Sequence, residues 1–138
     1  MSEDERNLNL LSIFHYVLGG LTALFSCFSL VHVVIGLFLI IGKIDGNNPP
    51  PQFIGWFFFI IGGMVLLGGW AFALATIIAG MKLKRRMSWT YCLVIAALEC
   101  MMMPLGTILG VFTIIVLMKD PVKQLFAANN QVQPSTIP

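Results

Sequence analysis

The chain has 138 residues, 58% of them hydrophobic and 10% charged, with a net charge of +2 and a mean hydropathy of +0.91. Soluble domains carry roughly 25% charged and about 45–50% apolar residues, so this composition excludes a fully water-facing shell and makes lipid the expected solvent. The small net charge argues against nucleic acid as a partner; its few basic residues are clustered, which bears on topology instead.

In chain order, residues 1–9 are a polar lead, expected to precede the first helix. Residues 10–42 are free of charge and far longer than the ~20 residues that cross a hydrocarbon core of about 30 Å, which predicts a tilted, bent or protruding first span. Gly19, Gly20 and Gly36 are its candidate bend or close-packing points. This run is too long for the apolar part of a cleaved signal peptide. Asp45-Gly46, Asn47-Asn48 and three successive prolines then predict a loop. A second span is expected over residues 53–81, entering through an aromatic belt that begins at Phe53 and Trp56. Inside it, Gly62, Gly63, Gly68 and Gly69 precede Ala71, Ala75 and Ala79. Small residues on a helix face allow close helix approach in lipid, first of all to the chain's own helices.

The segment Lys82, Lys84, Arg85 and Arg86 is a short basic loop and marks the cytoplasmic side. Residues 88–118 then pose a choice. As one helix they would hold Pro104 near the middle and Glu99 deep in lipid, where an acidic residue costs about 2.5–3.5 kcal/mol on insertion scales. As a hairpin, residues 88–103 leave and residues 104–118 return, Pro104 opens the second arm, and Glu99 lies near the outer surface within reach of water or headgroups. The hairpin also gathers Arg6, Lys82, Lys84, Arg85, Arg86, Lys119 and Lys123 on one side and leaves only Lys43 on the other. The expected fold is therefore all-α, a polytopic membrane four-helix bundle over residues 1–126 whose last two helices form a tight hairpin near Pro104. Spans are expected at about 10–42, 53–81, 88–103 and 104–118, and both termini are expected in the cytoplasm. Residues 120–126 suit the membrane surface, and residues 127–138 read as a flexible C-terminal tail.

Three side chains are candidate functional groups, because ionisable residues within a membrane are expensive. His15 is expected near the cytoplasmic interface, bonded to headgroup or water. His32 is expected deeper, in a helix–helix hydrogen bond to a Ser or Thr. Glu99 is expected to bond a Ser, a Thr or a free N–H at the hairpin tip. His15 and His32 lie about 25 Å apart on one helix at ~1.5 Å per residue, too far to share a haem or metal. Cys27, Cys92 and Cys100 lack metal-site spacing, and the run Glu99-Cys100-Met101-Met102-Met103 points its soft ligands in different directions, so no metal and no cofactor is expected. Gly106 and Gly110 form a GxxxG pair for close packing of the returning arm. No nucleophile–base pair, phosphate loop or carboxylate dyad is present, and the chain is not expected to be an enzyme.

The stretches LLSIFHYVLGGLTALFSC and PLGTILGVFTIIVLMKDPVKQLF resemble a group of small, uncharacterised bacterial inner-membrane proteins. That group has an HY-xx-GG first span and a P-x-GT-x-LG hairpin. The matching positions are His15, Tyr16, Gly19, Gly20, Pro104, Gly106, Thr107, Gly110, Val122 and Phe126. The resemblance implies four spans and a bacterial cytoplasmic membrane, and carries over no catalytic residue. Two functional classes remain open: a structural or accessory protein packing through its Gly/Ala faces with itself or with a larger membrane complex, and a small transporter or channel component with a polar path around His32 and Glu99.

Overall fold

The computed structural model describes residues 2–44, 46 and 48–132. Among these residues the only regular structure is helical: α1 Glu3–Phe28, α2 Leu30–Ile41, α3 Gln52–Arg85, α4 Trp89–Glu99, α5 Leu105–Leu117 and α6 Asp120–Val132. Two stretches, Glu3–Ile41 and Gln52–Arg85, are long and apolar enough to cross a membrane. A third qualifies only if α5 and α6 are taken together through a 75° bend.

α1 begins at Glu3, within the polar lead and ahead of the first expected span. The cause is a capping box. Ser2 Oγ accepts from the Glu5 N–H at 3.3 Å, and the Glu5 carboxylate accepts from the Ser2 N–H at 3.1 Å. Glu3, Asp4 and Glu5 also place negative charge at the positive end of the helix dipole. The long first run is interrupted at Ser29, between α1 and α2, and not at Gly19, Gly20 or Gly36. α2 stops at Gly42, whose φ of 71° lies in the left-handed region. There its N–H and that of Lys43 satisfy the Leu39 and Phe38 carbonyls. Of the expected loop, Asp45 and Asn47 lie outside the described residues.

The chain divides into two compact units, Met1–Gly19 with Leu74–Pro138, and Gly20–Ala73. In the second unit, α2 lies against α3 with almost no side chain between them at the crossing. A methyl group on Gly36 would overlap the Phe59 backbone, and one on Gly55 would meet Leu39 and Ile40. Gly62 sits against Val33 and His32, and Gly69 against Ser26.

In the first unit, Leu8, Leu11, Leu83, Cys92, Val116, Leu117, Val122 and Phe126 form the buried core. α6 contributes Val122 and Phe126, so the residues expected to lie on the membrane surface are packed inside. The helix continues to Val132, past the expected boundary of the flexible tail; residues 133–138 lie outside the described residues. Asn129 Nδ2 donates to the Arg85 carbonyl at 2.6 Å, satisfying a backbone acceptor that the end of α3 leaves open.

α4 and α5 form an antiparallel hairpin, and the chain reverses at Pro104. Gly106 packs on the Glu99 carbonyl and Gly110 on the Ala96 carbonyl. Thr107 Oγ1 donates to the Cys100 carbonyl at 2.8 Å near the tip, and the Trp89 indole N–H to the Leu117 carbonyl at 2.9 Å at the base. Pro104 is the N-cap of α5 and not its first helical residue. With 11 and 13 residues, the arms extend only about 16–20 Å at 1.5 Å per residue.

Candidate functional site, a buried histidine–glutamate pair

From Ser12 onward, past the core residues Leu8 and Leu11, the buried face of α1 is small and polar. Ser12, His15, Gly19, Thr22, Ser26 and Ser29 recur at three- and four-residue steps and are all buried. Ile13, Phe14, Val17, Leu24, Phe25 and Phe28 are exposed. This reverses the arrangement of a soluble helix, as expected where lipid takes the apolar side chains and helix–helix contacts take the small and polar ones.

Within the first unit this face meets the C-terminal half of α3 at Gly80. A methyl group there would lie 3.1 Å from His15 Cβ and 3.1 Å from the Ser12 carbonyl, so the missing side chain is what admits the imidazole. Ser12 Oγ donates to the Gly80 carbonyl at 2.7 Å. Ala79 beside it is fully buried.

His15 and Glu99 meet here. His15 Nε2 lies 3.1 Å from Glu99 Oε2, and both side chains are 0% exposed. The two groups are close enough for an ion pair but are not aligned in a directed hydrogen bond, so Nε2 and both carboxylate oxygens are left without one. His15 Nδ1 lies 2.7 Å from the Leu11 carbonyl. A carbonyl only accepts, so Nδ1 must carry a hydrogen. Nε2 and the carboxylate then hold one proton between them whenever the pair is neutral: imidazolium with carboxylate, or imidazole with carboxylic acid. Any other count leaves a net charge, which is strongly disfavoured where the interior is dry and of low dielectric.

Thr76 Oγ1 is a further buried polar atom without a hydrogen-bond partner. It lies one turn from Gly80 on the same face of α3. Thr113 is also buried, but its hydroxyl donates to the Leu109 carbonyl at 2.7 Å within its own helix.

Two of the three candidate polar residues are thus brought together, and neither has the partner expected from sequence. His15 is buried in the protein interior, against the Leu11 carbonyl and Glu99 in place of headgroup or water. Glu99 is shielded by α1 and not open to water or headgroups, because the short α4 carries it against α1. His32 belongs to the second unit, where it is exposed and its ring stacks on Phe58, with centroids 6.1 Å apart and planes 12° apart. The expected hydrogen bond from His32 to a Ser or Thr is replaced by this stacking.

The small-residue positions divide. Gly62, Gly69, Ala79, Gly106 and Gly110 are contact points. Gly63 and Gly68 have nothing of the chain near the position of a Cβ, and Ala71 is exposed. Ala75 is half-buried, and its carbonyl accepts from the Tyr91 hydroxyl at 3.3 Å. In the basic segment, Lys82 donates to Ser88 Oγ at 3.1 Å and lies over the Tyr91 ring, 5.0 Å from its centroid. Arg86 pairs with Glu5, while Lys84 and Arg85 are exposed.

Among the described residues no group of three or more His, Cys, Asp or Glu side chains is placed to hold a metal ion. Sequence reasoning missed Ser12, Thr76 and Gly80. The signal for the first was present in the three–four spacing of small and polar residues along α1, which is visible once lipid is taken as the solvent. No protein-family model matches the chain, and neither a curated protein nor a solved structure shows significant similarity to it.

Proposed function

We propose that this chain is a small integral membrane protein of structural or accessory type, packing with a second copy or a larger membrane complex. The observation that carries the reading is the part of the α3 small-residue face that its own helices leave open. Gly68 and Ala71, three residues apart and therefore on one side of the helix, are both exposed. Close helix approach in lipid relies on such positions, and Gly62 and Gly69 already use it inside the chain.

In this reading the protein is a four-helix membrane bundle of the bacterial inner membrane, with both termini cytoplasmic. The proximity of Asp4 to Lys119, 3.6 Å, and of Glu5 to Arg86, 2.7 Å, supports the orientation. The start of α1, the end of α3 and the start of α6 lie together with most of the basic side chains, and such clusters favour the cytoplasmic face. Because the α4–α5 hairpin returns on itself, the two ends stay on one side whether or not its short arms reach the far surface. The resemblance to uncharacterised bacterial inner-membrane proteins supports the same placement. The chain is not read as an enzyme.

Purification from native membranes with crosslinking tests this. The wild-type chain is expected to be captured with a second copy or another membrane protein, and Gly68→Leu and Ala71→Leu are expected to lose that partner while keeping their helix content. A wild-type chain that is monomeric and captures nothing would remove the reading.

A second reading, a small transporter or channel component, is favoured by the buried His15–Glu99 pair. Its polar residues are then His15, Glu99 and Thr76, without His32. Reconstituted protein would pass protons or small solutes, with the flux altered by Glu99→Gln.

A further inference from the structure

We propose that His15 and Glu99 form a proton-binding site that exchanges one proton with water entering the helix bundle. A purely structural ion pair in an apolar interior normally has its remaining carboxylate lone pairs satisfied by fixed donors, since an unsatisfied buried acceptor is costly. Here neither carboxylate oxygen of Glu99 receives a directed hydrogen bond, and one turn from Gly80 on α3 a third buried oxygen, Thr76 Oγ1, is also unsatisfied. Unpartnered buried oxygens of this kind are what ordered water satisfies.

The imidazole is already oriented for exchange. Leu11 fixes Nδ1 as the protonated nitrogen, which leaves Nε2, the atom facing Glu99, to gain or lose the mobile proton. On release, the N–H or O–H bond to that proton breaks, its electrons stay on the nitrogen or oxygen, water takes the proton, and the pair passes from neutral to one negative charge. On uptake, both partners are protonated and the pair carries one positive charge. No oxidant or reductant takes part.

Few other groups compete for the proton. Tyr16 on α1, Tyr91 and Cys92 on α4, and Cys100 at the C-cap of α4 are the other titratable side chains near this packing. Tyr91 is bonded to the Ala75 carbonyl, and α5 has no titratable residue. Lys82, the cation on this part of α3, is engaged by Ser88 and the Tyr91 ring.

The inference deepens the second reading and is independent of the accessory one. Its test is a titration of the full-length chain in lipid nanodiscs between about pH 4 and 9. Infrared spectroscopy follows the carboxyl group, and nitrogen NMR follows labelled histidine. The expected result is a one-proton change in either the carboxyl or the imidazole signal of the wild-type chain that is retained in His32→Asn and absent in both Glu99→Gln and His15→Asn. If every carboxyl and imidazole change of the wild-type chain persists in those two variants, the proposal fails. The wild-type titration stands even if Glu99→Gln does not fold, in which case His15→Asn supplies the assignment. Liposomes that pass no protons while the pair titrates would end the transport reading and leave the site.

Discussion

Glu5 and Arg86 form a 2.7 Å ion pair that ties the first turn of α1 to the residue that follows α3. Glu5 is also the closing residue of the capping box. The Ser2 N–H, and after it the Arg86 guanidinium, hold its carboxyl below the ordinary carboxylate range. A carboxyl depressed in the folded state contributes stability above its unfolded value, about 4.3, and that contribution is lost as pH falls through the lower folded value. Amide hydrogen exchange in the first turn of α1 should therefore accelerate in acid in the wild-type chain. In Glu5→Gln it should already be fast at neutral pH and vary less with acid. Identical profiles for the two chains would show that the pair does not hold this end.

Arg86 occupies the left-handed region, φ 54°, although it has a side chain. Such a conformation costs roughly 1–2 kcal/mol outside glycine. In a Glu5→Gln background, where the pair is already gone, Arg86→Gly should raise stability by about 1 kcal/mol. Reversible unfolding in mixed micelles reads the difference, and a loss of stability would contradict the argument.

Removing one member of a buried charge pair leaves the other unpaired, at a cost of about 3–5 kcal/mol. Glu99→Leu and His15→Leu should each destabilise the first unit by that order. The double variant should recover much of the loss, because no charge then remains in the interior. A double-mutant cycle in the same micelles measures the coupling. Additive losses would mean that the two side chains do not stabilise one another.

The hairpin has no room at its two glycines. A methyl group on Gly110 would overlap the Ala96 carbonyl and crowd Cys100, so Gly110→Ala should cost about 1–3 kcal/mol through overpacking. Gly63, with nothing of the chain nearby, should tolerate alanine and gain helix propensity of up to about 1 kcal/mol. Thermal unfolding of the two variants side by side tests the contrast, and equal shifts would refute it.

Topology is open to a direct check. In a chain freed of its native cysteines, cysteine at Gln131 should react with an impermeant thiol reagent only from the cytoplasmic side. Cysteine at Gly46 should react only from the outer side. Labelling of both positions from one face would overturn the orientation proposed above.

Composition, 58% hydrophobic and 10% charged, together with the length of the apolar runs made an all-helical chain the expectation, and the described residues are helical, with two helices long and apolar enough to cross a membrane. Reversal of the chain near Pro104 was also legible, since a continuous helix would have stranded Glu99 and scattered the basic residues. Glycine spacing announced close packing but not which glycines pack. Gly62 and Gly63 are neighbours in sequence, yet a step of 100° around the helix puts one against α2 and leaves the other open. The start of α1 at Glu3 was legible in the Ser2–Glu5 spacing, whereas the burial of Val122 and Phe126 required knowing that α6 turns back onto the core.

The pairing of His15 with Glu99 belonged to tertiary structure alone. Helical periodicity relates residues on one helix, and these two lie on α1 and α4, joined only by the way the short hairpin folds back onto the first helix. Sequence identifies which ionisable groups are costly in lipid, but the partner that lowers the cost is chosen by packing, here by the absence of a side chain at Gly80 that lets the imidazole in.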